Sequence, residues 1–343
     1  MSLRITGKLP AGKHLQRLKE SPNYKDGAFQ NLSPTAMKPE GVSYWKMTKE
    51  FLKNHPDTAP PGKLPLVKTD LKKLNSPEPL IVWFGHSSYF IRIDNKNFLI
   101  DPVFSGNAAP VSFMVKAFSG SNEYKSDDMP AIDYLILTHD HYDHLDFKTI
   151  RKIRNKVGKI YCSLGISSHL KHWGVNENII TEMDWWQSEQ LESTIQLTAA
   201  PARHFSGRGI KRAQTLWSSF ILKTANHNLF LGGDSGYDNH FKEIGNKYGP
   251  FDLAILESGQ YNTMWPLIHM MPEETVQAAI DLKANALLPV HWGKFMLSMH
   301  PWNEPIQRVI EKAKELNMPV KTPKIGEPLH INSKNTTVNW WEI

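Results

Sequence analysis

Ten consecutive residues place the tightest limit on what this chain can become. Leu135-Ile136-Leu137-Thr138-His139-Asp140-His141-Tyr142-Asp143-His144 runs from an apolar strand straight into three histidines and two aspartates. Along an extended chain, residues two apart point the same way, so His139 and His141 can face one point from a strand end. If the chain turns into a helix at about Asp143, the adjacent Asp143 and His144 can aim at a second point nearby. Two ligand pairs of this kind suit two metal ions side by side. Imidazole and carboxylate accept Zn²⁺, Fe or Mn, and ligand type alone does not choose among them. Directly behind an apolar strand, this density of donors is not what a solvated histidine-rich turn provides.

The rest of the chain narrows the chemistry. Cys162 is the single cysteine, in the apolar run Lys159-Ile160-Tyr161-Cys162-Ser163-Leu164, where it reads as a buried strand residue. A disulfide framework and a thiolate zinc cluster are both excluded, so any metal must be held by histidine and carboxylate. At 343 residues and 40% apolar composition, the chain fits one large α/β sandwich. The 11 tryptophans point first to aromatic core packing. Met1–Lys8 lacks the apolar centre of a signal peptide, and no stretch is long and apolar enough to span a bilayer. A soluble, cytoplasmic protein is expected, and oligomerisation is compatible with the sequence.

Residues 1–80 carry 14 Lys and Arg against 7 Asp and Glu, whereas the remainder is close to neutral. Such a patch is either an ordinary solvated surface or a face for phosphates and anionic lipid headgroups, which would make the protein peripheral to a membrane. No nucleic-acid-binding motif is present. Residues 1–78 are rich in Pro, Lys and Asn and read as an extension packed on a main domain of residues 79–343, with a short helix near Val42–Asn54. Strands are expected at Pro79–Gly85, Ser88–Ile93, Asn97–Asp101, Tyr134–Thr138, Lys159–Leu164, Thr194–Ala199, Leu216–Lys223, Asn228–Gly232, Leu253–Glu257 and Ala286–Val290, with a hairpin turn at Asp94–Asn97. Several are apolar at consecutive positions, as strands covered on both faces are. Helices are expected at Phe147–Lys156, Pro272–Lys283 and Glu304–Asn317. Pro272-Glu273-Glu274 suits a helical first turn.

His139-x-His141-x-Asp143-His144 resembles the signature of the metallo-β-lactamase superfamily. The later members of that pattern follow in order: His204 in Ala202-Arg203-His204-Phe205, Asp234 in Gly232-Gly233-Asp234-Ser235 and His291 in Val290-His291-Trp292-Gly293. Trp83-Phe84-Gly85-His86-Ser87, Asp101-Pro102-Val103-Phe104-Ser105, His269-Met270-Met271-Pro272 and Ser21-Pro22-Asn23-Tyr24 are similar to the branch containing N-acylphosphatidylethanolamine-hydrolysing phospholipase D and its bacterial relatives. The resemblance implies an αββα four-layer sandwich with a two-zinc site. It implies that His139, His141 and His204 hold one ion, that Asp143, His144 and His291 hold the other, and that Asp234 bridges both. Asp101 would buttress the site without binding metal.

The activity implied is hydrolysis of a phosphodiester, such as an N-acyl phosphatidylethanolamine, by hydroxide generated between the ions. Asp143 and Asp234 would orient the hydroxide. His269 would meet the phosphate or assist the leaving group, or else cap the helix that starts at Pro272, with Tyr261 and Trp265 either on an apolar wall or packed in the core. His86, after a strand and a glycine, reads first as a hydrogen-bonded structural histidine, with approach to the metal site as the alternative. Arg203 and Arg208 either meet a phosphate or form surface ion pairs. Two alternatives remain at this point: a lactonase with the same site, and a metal-binding protein without catalysis.

Overall fold

A computed structural model describes residues 2–53, 55–333 and 338–343 of the chain. The N-terminal region holds helices α1 (Ser2–Ile5), α2 (Gly12–Leu18) and α3 (Tyr44–Phe51) and a small ribbon of β1 (Tyr24–Lys25) and β2 (Ala28–Phe29). Helix α3 occupies the expected segment near Val42–Asn54, although Asn54 itself lies outside the described residues. The Ser43 side chain caps it by accepting from the Lys46 N–H.

Two sheets follow. The first runs β15 (Pro328–His330), β3 (Leu80–Trp83), β4 (Tyr89–Ile93), β5 (Lys96–Ile100), β6 (Ile132–Leu137), β7 (Val157–Ser163), β8 (Ile180–Met183). The second runs β14 (Leu287–Val290), β13 (Leu253–Glu257), β12 (Asn228–Leu231), β11 (Ser219–Lys223), β10 (Ile195–Ala200), β9 (Ser188–Glu192). Between them lies one apolar layer to which both contribute, including Ile91, Phe98 and Ile136 from the first and Leu197, Phe220 and Ile255 from the second. The outer face of the first sheet is covered by α4 (Phe147–Ile153) and α5 (Ser167–His172) through Phe147, Ile150 and Leu170. The outer face of the second is covered by α6 (His240–Tyr248), α7 (Pro272–Asp281) and α8 (Glu304–Glu315) through Phe241, Val276 and Val309. Helix, sheet, sheet, helix is the αββα order expected. No described helix is long and apolar enough to cross a membrane.

Strand direction decides where the chemistry can sit. Strands β3, β5 and β6 run the same way: β3 and β5 each pair antiparallel with β4, and β5 pairs parallel with β6. Strands β10, β12, β13 and β14 likewise share one direction. The segments that carry His86, Asp101 and His139 therefore leave one edge of the first sheet. Those carrying His204, Asp234 and His291 leave one edge of the second.

Most expected strands lie within a few residues of their predicted positions, and Cys162 is buried on β7. The hairpin turn is tight: Ile93 pairs with Lys96, leaving Asp94 and Asn95 as the turn, both at positive φ. Three strands and two helices were not foreseen in the main domain: β8, β9, β15, α5 and α6. Strand β9 reads Ser-Glu-Gln-Leu-Glu and is an exposed sheet edge, where charge is tolerated and apolar alternation is absent.

Phe230 marks how tightly the second sheet meets its helices. It is fully buried, with ring centroids 5.6 Å from Phe251 and 6.3 Å from Phe241. Replacing Phe230 with Ala is expected to lower unfolding stability by about 3–5 kcal/mol, as buried Phe→Ala changes do. Urea denaturation followed by tryptophan fluorescence measures this directly.

Candidate metal centre

The helix after β6 begins at Phe147, where it was expected, and the conditional turn into a helix at about Asp143 is not made. Strand β6 ends at Leu137, and α4 begins only at Phe147, where the Asp146 side chain accepts from the Lys148 N–H. Between them, His144 and Leu145 donate their N–H groups to the His141 carbonyl at 3.1 and 2.8 Å. This single turn, rather than a helix at Asp143, aims Asp143 and His144. Asp140 faces away from the cluster, accepting from the Gly207 N–H at 2.7 Å and contacting the His169 Nε2 at 3.2 Å.

All seven expected ligands meet at the sheet edges. His139 Nε2 lies 3.0 Å from His141 Nδ1, and His204 Nε2 lies 3.2 Å from that same atom. Asp234 directs one oxygen to each half of the site. Its Oδ2 is 3.7 Å from both His139 Nε2 and His204 Nε2, and its Oδ1 is 3.1 Å from both His144 Nε2 and His291 Nδ1. Asp143 Oδ2 lies 3.6 Å from His144 Nε2. Asp234 reaches across because Gly233 precedes it. A Cβ there would stand 2.8 Å from the Ser218 carbonyl and 3.0 Å from Thr138 Cβ.

Three of the rings are held by their outward nitrogen. Asp101 Oδ2 takes the His144 Nδ1 proton at 2.7 Å, while its own oxygens accept from the Thr138 N–H and hydroxyl. The Ile268 carbonyl lies 2.8 Å from His204 Nδ1, and the Thr138 hydroxyl lies 3.0 Å from His139 Nδ1. Asp101 thus occupies the buttressing place anticipated for it, fixing a ring rather than joining the cluster.

His86 joins its two readings: it is hydrogen-bonded, its Nε2 lying 2.8 Å from Asp143 Oδ2, and it also approaches the cluster, within the His86–Asp143–His144–His291 donor group. His86 and His291 both sit at positive φ and exchange backbone hydrogen bonds at the seam: His291 N–H to the His86 carbonyl at 3.0 Å, and His86 N–H to the Trp292 carbonyl at 2.9 Å. Left-handed backbone at non-glycine residues costs roughly 1–3 kcal/mol each and persists where surrounding structure imposes it. The symmetry of Gly85-His86 with His291-Trp292-Gly293, each after a strand, was the available sequence signal. Ser87, whose hydroxyl lies 2.8 Å from His291 Nδ1, was missed.

Electrostatics favours a cation at this place. Burial drives His139, His204 and His291 well below the usual imidazole range and His141 and His86 to about 4, so these rings are neutral with lone pairs to give. Burial opposes charge on His144 too, but the Asp234, Asp143 and Asp101 carboxylates outweigh it and hold its proton. Burial would raise Asp143, yet the His144 charge and the His86 hydrogen bond hold it far below the carboxylate range. Asp234 is lifted by burial to about 6. Two buried carboxylates thus lean on one imidazolium, and Asp234 Oδ1 and His144 Nε2 are buried without a hydrogen-bond partner. Oxygen and imidazole donors in this arrangement fit divalent metal ions, whose binding would displace that proton.

The remaining candidates divide. His269 and Trp265 line the pocket above the cluster. Tyr261 does not: it is buried, its hydroxyl donates to Glu304, and its ring stacks on His300. Arg208 is neither a phosphate contact nor a surface ion pair. It is buried and donates to the carbonyls of Asp140, Leu145 and Ile5. Arg203 donates to the Pro34 and Tyr237 carbonyls, tying the N-terminal region to the site wall. Arg212, four residues after Arg208, lines the pocket instead.

The chain is similar to known proteins. The family described as the β-lactamase superfamily domain matches residues 96–292. An uncharacterized protein of Mycobacterium tuberculosis is 36% identical over 329 residues, covering 94% of this chain and 88% of its own. N-acyl-phosphatidylethanolamine-hydrolyzing phospholipase D 1 of Caenorhabditis elegans is 32% identical over 225 residues, covering 62% of this chain and 63% of its own. Among solved structures, the metallo hydrolase Igni18 of Ignicoccus hospitalis aligns with a TM-score of 0.56 at 18% identity, over 73% of this chain and 97% of its own.

Asp101→Asn keeps a residue that tolerates positive φ but leaves one acceptor oxygen where Asp101 uses two, so either His144 Nδ1 or the Thr138 N–H loses its acceptor. Metal affinity is expected to fall about 10–100-fold with the fold retained. Competition with a chromophoric chelator, alongside circular dichroism, checks it.

Proposed function

This chain belongs to the metallo-β-lactamase superfamily and is a metal-dependent hydrolase of that fold; from that premise we propose that it cleaves a phosphodiester, with an N-acylated phospholipid as the favoured substrate class. The observation that carries this reading is the division of the pocket. Its volume is about 470 Å³. The floor is the donor cluster, and the wall is apolar, formed by Met37, Met47, Phe51, Phe205, Trp265 and Leu297. Arg212 lies on the same pocket, its guanidinium 5.2 Å from the Phe205 ring centroid, where it can meet an anionic oxygen. An acyl chain suits the wall, and a phosphate suits the floor and the arginine. The similarity to the nematode phospholipase adds support.

In this reading His139, His141, His204 and Asp234 hold one zinc, and Asp143, His144, His291 and Asp234 hold a second. Bound there, the ions would turn water into hydroxide near neutral pH and offset charge on the phosphate oxygens. Asp143 and Asp234 accept hydrogen bonds from the attacking oxygen and turn its lone pair toward phosphorus. As the bond from phosphorus to the alcohol oxygen breaks, the proton released by the water returns to that oxygen, and the neutral ring of His269 at the pocket is the group that can take it up and hand it on. The apolar wall keeps bulk water from the reacting groups.

His141→Ala is expected to lower metal content and abolish hydrolysis; metal analysis and a substrate panel read both. The panel contains N-acyl phosphatidylethanolamine, bis(p-nitrophenyl) phosphate and an acyl lactone. Turnover of the lactone alone would replace the phosphodiester reading with a lactonase.

We also propose that the pocket mouth contacts anionic membrane. Helix α3 lines the pocket with Met47, Thr48 and Phe51, while Trp45 on it and Leu52 after it are 77% and 78% exposed. Lys46, Lys49 and Lys53 accompany them. Exposed aromatic and aliphatic groups beside lysines are the makings of an interfacial helix. Sedimentation with phosphatidylglycerol vesicles is expected to show binding that weakens with added salt and falls further in Trp45→Ala. Binding indifferent to salt and to Trp45 would remove this contact.

A further inference from the structure

In the donor group of His139, His141, His204 and Asp234, the first two follow β6 and the last follows β12. His204 stands differently. It lies in an irregular stretch between β10, which ends at Ala200, and β11, which begins at Ser219, and among the described residues no strand pairs with it. A ring on such a stretch can be turned correctly and still stand in the wrong place. Its turn is set by the Ile268 carbonyl, 2.8 Å from Nδ1. Its backbone is met by a side chain from the N-terminal region: the His204 N–H donates to Asn31 Oδ1 at 3.0 Å, and Asn31 Nδ2 donates to the His204 carbonyl at 2.8 Å.

A primary amide holds an acceptor and a donor in one plane, as a peptide unit does in a ladder. Asn31 thus pairs with His204 as a neighbouring strand would. The indole of Trp217, which can only donate, reaches the same Oδ1 at 3.0 Å and fixes which end of the amide faces which way. The segment carrying Asn31 is fastened on both sides by other groups. Phe29 donates its N–H to the Ala213 carbonyl at 2.8 Å and buries its ring with Trp185, Leu216 and Trp217, while the Pro34 carbonyl and the Thr35 hydroxyl accept from the Arg203 guanidinium. Loss of the amide therefore leaves the segment docked. We propose that Asn31 is a positioning residue for a metal ligand: its amide sets where the His204 ring stands, and with it the affinity of the half-site that His204 completes. The inference rests on the reading of that donor group as the holder of one ion. On the other half, His291 is fixed by its backbone hydrogen bond to His86 and His144 by the turn at His141, so a displaced His204 acts on one ion and spares its neighbour.

Zinc binding by the whole 343-residue chain, read by competition with a chromophoric chelator, tests this. The wild type is expected to take up two ions and His204→Ala to lose one of them. Asn31→Ala is expected to weaken one ion about 10-fold or more and leave the other unchanged. Asn31→Asp keeps an acceptor for the His204 N–H but has no donor for its carbonyl, so a smaller loss is expected. Gln30→Ala, whose side chain donates to the Lys25 carbonyl instead, is expected to bind zinc as the wild type does. Added to His204→Ala, Asn31→Ala is expected to weaken the remaining ion no further, because the amide acts through a ring that is gone. Equal weakening of both ions, or an undiminished effect in the His204→Ala background, would overturn the proposal. So would an Asn31→Ala protein that melts earlier when metal-free yet binds both ions normally, the mark of a merely structural amide. Both ions retained in His204→Ala would instead refute the ligand reading beneath the inference, and the role of Asn31 with it.

Discussion

Everything at the centre of this molecule follows from the need to aim several neutral imidazole nitrogens at one small volume. A histidine left to itself turns about two side-chain torsions and offers either nitrogen. Here Asp101 takes one nitrogen of His144, the Ile268 carbonyl one of His204, and the Thr138 hydroxyl one of His139. The opposite nitrogen is thereby committed inward. Asp101 and Thr138 lie one step past the ends of β5 and β6, and the Ile268 carbonyl comes from the loop between β13 and α7, so these three rings are oriented by partners from more than one part of the sandwich.

The sandwich supplies this because strand ends are cheap places to gather polar groups. Within a strand, both faces of each sheet are covered, and a buried imidazole would lack partners. One step past the last ladder bond, freed carbonyls and hydroxyls become available to satisfy it. The cost appears as backbone strain at His86 and His291, whose left-handed conformations face one another across the seam of the two sheets. Their mutual backbone hydrogen bonds lock that conformation, which explains why two large residues sit where glycine would be easier.

Much of this was legible in the sequence because the site and the strands share a signal. Apolar runs ending in His139, Asp234 and His291 announce both a strand and what emerges from it. The unread parts were those where distant segments satisfy local anomalies. Strand β8 carries Glu182, which breaks the apolar pattern; it is buried and held by His14 and Arg17 of the N-terminal region and by the Gly165 and Ser167 N–H groups. Helix α6 contains Gly245, a poor helix former, yet a Cβ there would lie 2.0 Å from the Asp281 carbonyl at the end of α7. Of the two readings for Arg203 and Arg208, phosphate contact or ion pair, Arg203 fits the second, with Nε 3.7 Å from Asp238 Oδ2, and Arg208 fits neither; both guanidiniums also serve main-chain carbonyls, brought from residues 34 and 5.

The N-terminal region is therefore better understood as part of the site's construction than as a decoration of it. Arg208, held between the Asp140 and Leu145 carbonyls on one side and the Ile5 carbonyl on the other, links that region to the turn bearing Asp143 and His144. Lys8 N–H donates to His169 Nδ1, and His169 in turn contacts Asp140. Asn31 bonds both the N–H and the carbonyl of His204. Further along, α3 lines the pocket that opens above the cluster. One continuous stretch thus supports the ring-bearing loops from behind and shapes the space where a substrate would lie. Ring orientation and pocket shape are consequently coupled through the same segment of chain, although they belong to opposite sides of the cluster.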